Sequence, residues 1–348
     1  MLTGGGDAPG LNAVIRAVVK AGANLSAEII GLEDSFDGLL VEDKCRVLTP
    51  ADVSGILRIG GTILGTRRGG DLAATIAIAR ERFSALGLDG LICIGGDGTL
   101  TVAYELHKLG LPVVAVPKTI DNDIVQTNSC FGFDTAVSYA TEAIDRLHAT
   151  AHAHHRIVVV EVMGRDTGWI ALHAGVAGGA DVILIPEIPF QLAAVAAGIR
   201  QRDAAGARFS IVVVAEGAYP IGGQRSVVAQ AAEGLAERLG GAADAIVCQL
   251  QQLTGKETRA VVLGHLQRGG APTAFDRTLA TRMGGKAVEL WLRGDFGRMV
   301  ANHPPDIVPV SLADVVGKCK RVPLDYDLLV TARALGISFG DWGGAAVL

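Results

Sequence analysis

The feature that most constrains this chain is a recurrence of short β-branched apolar runs, each closed by a polar or glycine-rich turn. Leu91–Ile94 runs into Gly95-Gly96-Asp97-Gly98-Thr99 and Val113–Val116 into Pro117-Lys118-Thr119-Ile120-Asp121-Asn122-Asp123; Ile157–Val162, Val182–Ile185, Ile211–Ala215 and Ala260–Leu263 are of the same kind. Near-continuous apolar runs are what strands require when both faces are covered, so the fold class is α/β, with mostly parallel sheets and helices on either side. The alanine-rich segments Leu72–Leu86, Ala136–His152 and Val227–Leu239 are long enough for the crossover helices. In such sheets ligands collect at the carboxyl ends of strands, where glycine lets the backbone approach an anion and the next helix offers free N–H groups.

Composition narrows the classes. At 348 residues, 49% hydrophobic and 19% charged, the chain has core enough for about two domains and is neither disordered nor collagen-like. A net charge of −5 argues against nucleic acid and anionic membrane as partners, so an anionic ligand must be held by local cations. Cys45, Cys93, Cys130, Cys248 and Cys319 have no metal-like or disulfide-framework spacing, and the chain reads as cytoplasmic. Trp169 to Pro186 is interrupted by glycines, His173 and Asp181, so no membrane span is expected, and the opening lacks the pattern of a signal peptide.

Three loops carry the chemistry. Thr3-Gly4-Gly5-Gly6-Asp7-Ala8-Pro9-Gly10-Leu11-Asn12 precedes a helical stretch and suits either a phosphate wrap or a tight structural turn. In Gly95-Gly96-Asp97-Gly98-Thr99, Asp97 is suited to orient Mg²⁺ or to brace the turn, while N–H groups and the Thr99 hydroxyl suit phosphate oxygens. In the third loop, Asp121 and Asp123 alternate along an extended segment, so one can take a proton while the other coordinates metal or tunes its neighbour; Lys118 can neutralise phosphate charge. The same residues also fit a solvated acidic turn. The histidines His152, His154 and His155 lack a further ligand cluster and are read as a loop near an interface, not as a metal site.

Together these loops resemble the 6-phosphofructokinase family. The resemblance continues through Gly60-Gly61-Thr62 with Arg67-Arg68, Phe131-Gly132-Phe133-Asp134-Thr135-Ala136, Glu161-Val162-Met163-Gly164-Arg165 and Leu263-Gly264-His265-Leu266-Gln267-Arg268-Gly269-Gly270. It implies two similar three-layer α/β lobes with the active site in the cleft between them: residues 1–132 plus 267–318 for the phosphoryl donor, and 133–266 plus 319–348 for the sugar phosphate. It further implies Mg²⁺-dependent phosphorylation of D-fructose 6-phosphate at the 1-hydroxyl. Asp121 would be the base, with Thr119, Asp123, Arg165 and Lys118 completing the catalytic set. Asp97 would hold the metal, and Gly5, Arg68, Gly96, Asp97, Gly98 and Thr99 the donor phosphates. Thr119, Asp121, Arg156, Met163, Gly164, Arg165, Glu216, Arg259, His265 and Arg268 would bind the sugar phosphate. In the family the counterparts of Arg156 and Arg259 come from a neighbouring subunit, so the resemblance implies a homodimer or homotetramer with shared active sites.

Family members use ATP or pyrophosphate. Gly98 resembles the ATP users, since aspartate there would crowd and repel the nucleotide's α-phosphate; Lys118 resembles the pyrophosphate users. ATP is the expected donor, with pyrophosphate the alternative. Rival readings are a kinase acting on another ketose phosphate such as sedoheptulose 7-phosphate, a non-catalytic sugar-phosphate binder, and the lipid and NAD kinase superfamily, which shares only the GGDGT-like loop. Two departures stand out. Only Met1 and Leu2 precede Thr3, which predicts a shortened first strand and a weakly supported Gly5 loop. Asp166-Thr167 follows Arg165 where the family's long-chain branch, which this chain resembles in pairing Gly98 with Lys118, commonly has His-Ala, placing a carboxylate next to a phosphate-facing arginine unless it points away.

Overall fold

The computed structural model describes residues 1–41, 43–67, 72–230 and 237–341. They form two compact units: residues 1–120, 124–135 and 268–319 make unit 1, and residues 121–123, 136–267 and 320–348 make unit 2. The segment Asp121–Asp123, expected inside the first lobe, groups with unit 2.

Unit 1 is built on a seven-stranded sheet in the order Asp306–Ser311, Arg298–His303, Val113–Pro117, Leu91–Gly95, Leu2–Gly4, Ile29–Leu32, Cys45–Leu48. Its interior pairings are parallel and its two outermost pairings antiparallel. Alternation along each strand explains the unbroken apolar runs. Ile92, Ile94, Val114, Val116 and Val300 join one core with Val14, Ile15 and Val18 of helix Leu11–Asn24 and Met283 and Ala287 of helix Ala274–Leu292. Leu91, Cys93, Val113, Ala115 and Met299 join another with Phe83 of helix Leu72–Ala85 and Leu100, Ala103 and Leu106 of helix Asp97–Lys108. Neither face is left wet, so neither can be polar.

Unit 2 carries a four-stranded, wholly parallel sheet in the order Thr258–Val262, Ile157–Val162, Ser210–Ala215, Val182–Leu184. Val159, Val182, Leu184, Val212 and Val214 pack with helices Leu192–Ala204 and Ala242–Thr254. Ile183 faces the other way, against Gly175 of helix Trp169–Ala177, where an added Cβ would come within 2.7 Å of it. Among the described residues no helix is long and apolar enough to cross a membrane.

Two expectations change. The helix expected over Val227–Leu239 does not form in the described part: Val227–Ala229 is a strand paired antiparallel with Arg238–Leu239, and residues 231–236 lie outside the described residues. The β-branched pair Val227-Val228 favours extended backbone, and this strand has no buried face to hold it as an amphipathic helix. The first strand, though short, is paired on both sides, Leu2 with Leu32 and Leu2 to Gly4 with Cys93 to Gly95. The Gly5 loop beyond it is also held: its N–H donates to Arg67 O at 3.1 Å, and Thr66 Oγ1 donates to its carbonyl at 2.6 Å.

Asp276 gives unit 1 a pH-dependent element. Its carboxylate accepts from Thr135 N at 2.8 Å and Thr135 Oγ1 at 2.5 Å inside the core. Burial pushes its pKa up to about 6 and outweighs these donors. Because the folded group binds its proton more tightly than the unfolded one, its stabilisation is full below about pH 4 and is lost as pH rises through 6, a span of roughly 3 kcal/mol. Asp276→Asn, which keeps one oxygen to accept from Thr135 and removes the buried charge, should therefore show a flatter change in urea midpoint between about pH 4.5 and about pH 7 than the wild-type protein. An unaltered pH slope would remove Asp276 as its source.

Candidate active site

In unit 1 the register aligns Gly4 with Gly95 and Gly95 with Pro117, so the loops beginning at Gly5, Gly96 and Lys118 leave one carboxyl edge side by side. Their closeness dictates residue type. A Cβ on Gly4 or Gly95 would stand 2.5 or 2.3 Å from Thr99 Oγ1, so the Thr99 side chain is buried against these glycines. Lys118 is buried across the loops: its N–H donates to Gly95 O at 2.9 Å and its Nζ to Gly6 O. Arg268 Nη1 donates to Asp7 O at 2.9 Å, bracing the same loop.

Helix Asp97–Lys108 starts at this edge with Gly96 as its N-cap and no side-chain cap. First-turn N–H groups have no intrahelical acceptor, and with the helix dipole they favour an anion. Asp97 and Gly98 are exposed there, and a Cβ added at Gly98 would meet nothing within 4 Å among the described residues. The edge thus combines a lysine ammonium, free helix amides, one exposed carboxylate and open space, which are the requirements of a polyphosphate with its metal.

In unit 2, Val162 pairs with Ala215, so Met163-Gly164-Arg165 and Glu216 leave one carboxyl edge together. Glu216 Oε1 accepts from Arg165 N at 3.1 Å, fixing a turn in which Arg165 is left-handed (φ 50°) and Gly164 has φ 147°. Gln267 Oε1 accepts from Met163 N at 2.8 Å. Thr167 Oγ1, fully buried, lies 3.1 Å from Gly164 O and 3.2 Å from Asp121 O, which ties the acidic segment to this turn. Lys320 holds the rest of that segment, its Nζ donating to Asn122 Oδ1 at 2.9 Å and its N–H to Asp123 O at 2.7 Å. Asp121 is itself buried. Asp166 does not point away: its Oδ2 is 3.3 Å from Arg165 Nε.

Arg156 and Arg259 come together elsewhere. Both pair with Glu257, Arg156 Nε at 2.6 Å and Arg259 Nη2 at 2.5 Å, and the Arg156 hydrogen bond leads in holding the Glu257 carboxyl below its usual range. Arg156 precedes strand Ile157–Val162 and Arg259 is aligned with Val158, so both sit at the amino edge. Arg165 follows the carboxyl edge of the same strand, roughly 20 Å away at about 3.3 Å per residue. His265 follows Thr258–Val262 at the carboxyl edge and is exposed.

A family model described as "Phosphofructokinase" matches residues 1–291. The chain belongs to the phosphofructokinase family. An "ATP-dependent 6-phosphofructokinase" of Chloroflexus aggregans is 55% identical, covering 98% of this chain and 97% of its own. A "Pyrophosphate--fructose 6-phosphate 1-phosphotransferase" of Amycolatopsis mediterranei is 49% identical, covering 93% and 96%. Among solved structures, the Pichia pastoris phosphofructokinase crystallised in the T-state superposes with a TM-score of 0.78 at 34% identity, over 90% of this chain and 34% of that longer one.

Within this phosphofructokinase, Gly5, Gly96, Asp97, Gly98, Thr99 and Lys118 share one edge of unit 1, followed directly in sequence by Thr119. Asp121, Asp123, Met163, Gly164, Arg165 and Glu216 gather in unit 2. Arg268, read from the sequence as a sugar-phosphate ligand, belongs to unit 1 and gives one donor to Asp7. Arg68 lies outside the described residues. Mg²⁺ fits the donor set here, since beside phosphates it needs only one or two carboxylates and Asp97 stands exposed at the uncapped helix start. Sequence reasoning gave no positioning role to Thr167 or Gln267, which stood only within quoted motifs, and missed Lys320 and Gly217, where a Cβ would lie 1.9 Å from Arg165 O. Of the last two, Gly217, a glycine just past a strand, carried a signal.

Proposed function

We infer that this phosphofructokinase transfers the terminal phosphoryl group of ATP to the 1-hydroxyl of D-fructose 6-phosphate, forming fructose 1,6-bisphosphate as a glycolytic kinase. The observation that carries the reading is the uncapped helix start at Gly96 beside buried Lys118, with open space over Gly98. It offers amides and an ammonium to a phosphate chain and, among the described residues, no side chain over Gly98 to exclude a nucleotide. The relatives named for ATP support the same donor.

Phosphoryl transfer needs alignment and charge neutralisation more than covalent assistance. Asp121 accepts the proton of the sugar 1-hydroxyl, and Thr119 and Asp123 flank it. Arg165 and Lys118 face the transferring group. Gly5, Gly96, Gly98, Thr99 and Arg68 cradle the donor. Asp97 would hold Mg²⁺, which when bound offsets phosphate charge. Met163, Gly164 and Glu216 line the sugar, and His265 and Arg268 meet its 6-phosphate. Arg156 and Arg259 lie at the opposite sheet edge from Arg165, which supports the reading that they serve the site of another subunit in a homodimer or homotetramer. The wide spacing of the five cysteines, which matches no disulfide framework, supports a cytoplasmic setting.

A second reading, pyrophosphate as donor, is favoured by Lys118 and by the Amycolatopsis relative's name. Initial rates with fructose 6-phosphate and Mg²⁺, run separately with ATP and pyrophosphate, decide between them: faster turnover with ATP is expected, and exclusive use of pyrophosphate overturns the donor. In the same assay, Arg156→Ala should raise KM for fructose 6-phosphate about tenfold or more, the scale of a lost charge-assisted hydrogen bond, with sedimentation showing a dimer or tetramer.

A further inference from the structure

We propose that Arg225 is a positioning residue that keeps the Arg165 guanidinium available to the phosphoryl group by occupying the carboxylate beside it. Asp166 stands between two arginines: its Oδ2 is 3.3 Å from Arg165 Nε, and its Oδ1 is 2.5 Å from Arg225 Nη1. The nearer contact belongs to Arg225, which also pairs through Nη2 with Glu237. Arg225 and Glu237 flank the two strands of the hairpin Val227–Ala229 and Arg238–Leu239, so this surface hairpin delivers the guanidinium that engages Asp166.

The chemistry is a competition. A carboxylate bound bidentately or closely by one arginine has less charge and fewer lone pairs left for a second. With Arg225 present, Asp166 touches Arg165 only at the long end of hydrogen-bond range. Without it, Asp166 has one cation within reach and closes on Arg165, whose backbone is already fixed by Glu216. The guanidinium is then neutralised before any phosphate arrives. The inference rests on Arg165 facing the transferring group.

The test is a double-mutant cycle in kcat on the full-length enzyme with ATP and fructose 6-phosphate. Arg225→Ala should lower kcat about tenfold, the scale of one diverted charge-assisted hydrogen bond. Adding Asp166→Asn should return kcat to within about twofold of wild type, because the competing charge is gone. Arg225→Lys, which keeps a cation on Asp166, should retain most turnover and covers the case of an unstable alanine variant. An unchanged kcat in Arg225→Ala, or a double variant as slow as Arg225→Ala, overturns the proposal, since a merely structural loss is not repaired by a second substitution. Arg165→Ala separates the two claims: if it keeps normal turnover, the placement of Arg165 at the phosphoryl group is what has failed.

Discussion

Replacing Asp121 with serine is expected to cut kcat by about 10²- to 10⁴-fold, the usual contribution of a positioned general base, while KM for fructose 6-phosphate moves only a few-fold. Several features make this a test of chemistry instead of folding. The backbone of this segment is secured by groups other than the Asp121 carboxylate: Thr167 donates to the Asp121 carbonyl, and Lys320 to the Asn122 side chain and the Asp123 carbonyl. Asn122 is left-handed at φ 53°, a conformation asparagine tolerates. Serine keeps a small polar group at a buried position but has no basicity near neutral pH. Single-turnover measurement with saturating fructose 6-phosphate isolates the step. Turnover within a few-fold of wild type would exclude Asp121 as the base, whereas equal losses in binding and turnover would mean that the carboxylate mainly holds the sugar.

The strands were legible because burial on two faces leaves its mark in one dimension. Leu91 and Cys93 enter one core, Ile92 and Ile94 the other, and all four must be apolar. The glycines of the donor edge were legible for a related reason: Gly4 and Gly95 each meet Thr99 at a distance no Cβ allows. What sequence could not disclose depends on register and on distant partners. Lys320 reaches Asn122 across 198 positions, and nothing local in Gly317-Lys318-Cys319-Lys320 announces it. Arg156 and Arg259 were named as ligands, yet Glu257, which pairs with both, was not, because an acidic residue among basic ones reads as ordinary surface. The segment Val227–Leu239 misled for the opposite reason. At its described ends the β-branched Val227-Val228 favours extended backbone, and Val227–Ala229 pairs antiparallel with Arg238–Leu239.

Donor choice is the property most open to a single substitution. Gly98→Asp should reduce kcat/KM for ATP by about 100-fold or more, because a like charge brought against a bound anion costs several kcal/mol, and about 2.7 kcal/mol already corresponds to two decades. The protein should fold normally: among the described residues a Cβ at 98 meets nothing within 4 Å, and an acidic residue in the first turn of helix Asp97–Lys108 is favourable toward its dipole. The lost activity would therefore belong to the ligand. A carboxylate projecting from position 98 occupies the space that an α-phosphate and ribose require. Pyrophosphate has neither group, and Lys118 would still present its ammonium beside Gly6. The ratio of kcat/KM for ATP to that for pyrophosphate should consequently fall even if pyrophosphate remains a poor donor in absolute terms. If that ratio is unchanged while thermal unfolding confirms a folded enzyme, the space over Gly98 is not where the nucleotide lies, and the discrimination must come from the flanking loops of the donor edge, at Lys118 or Gly5.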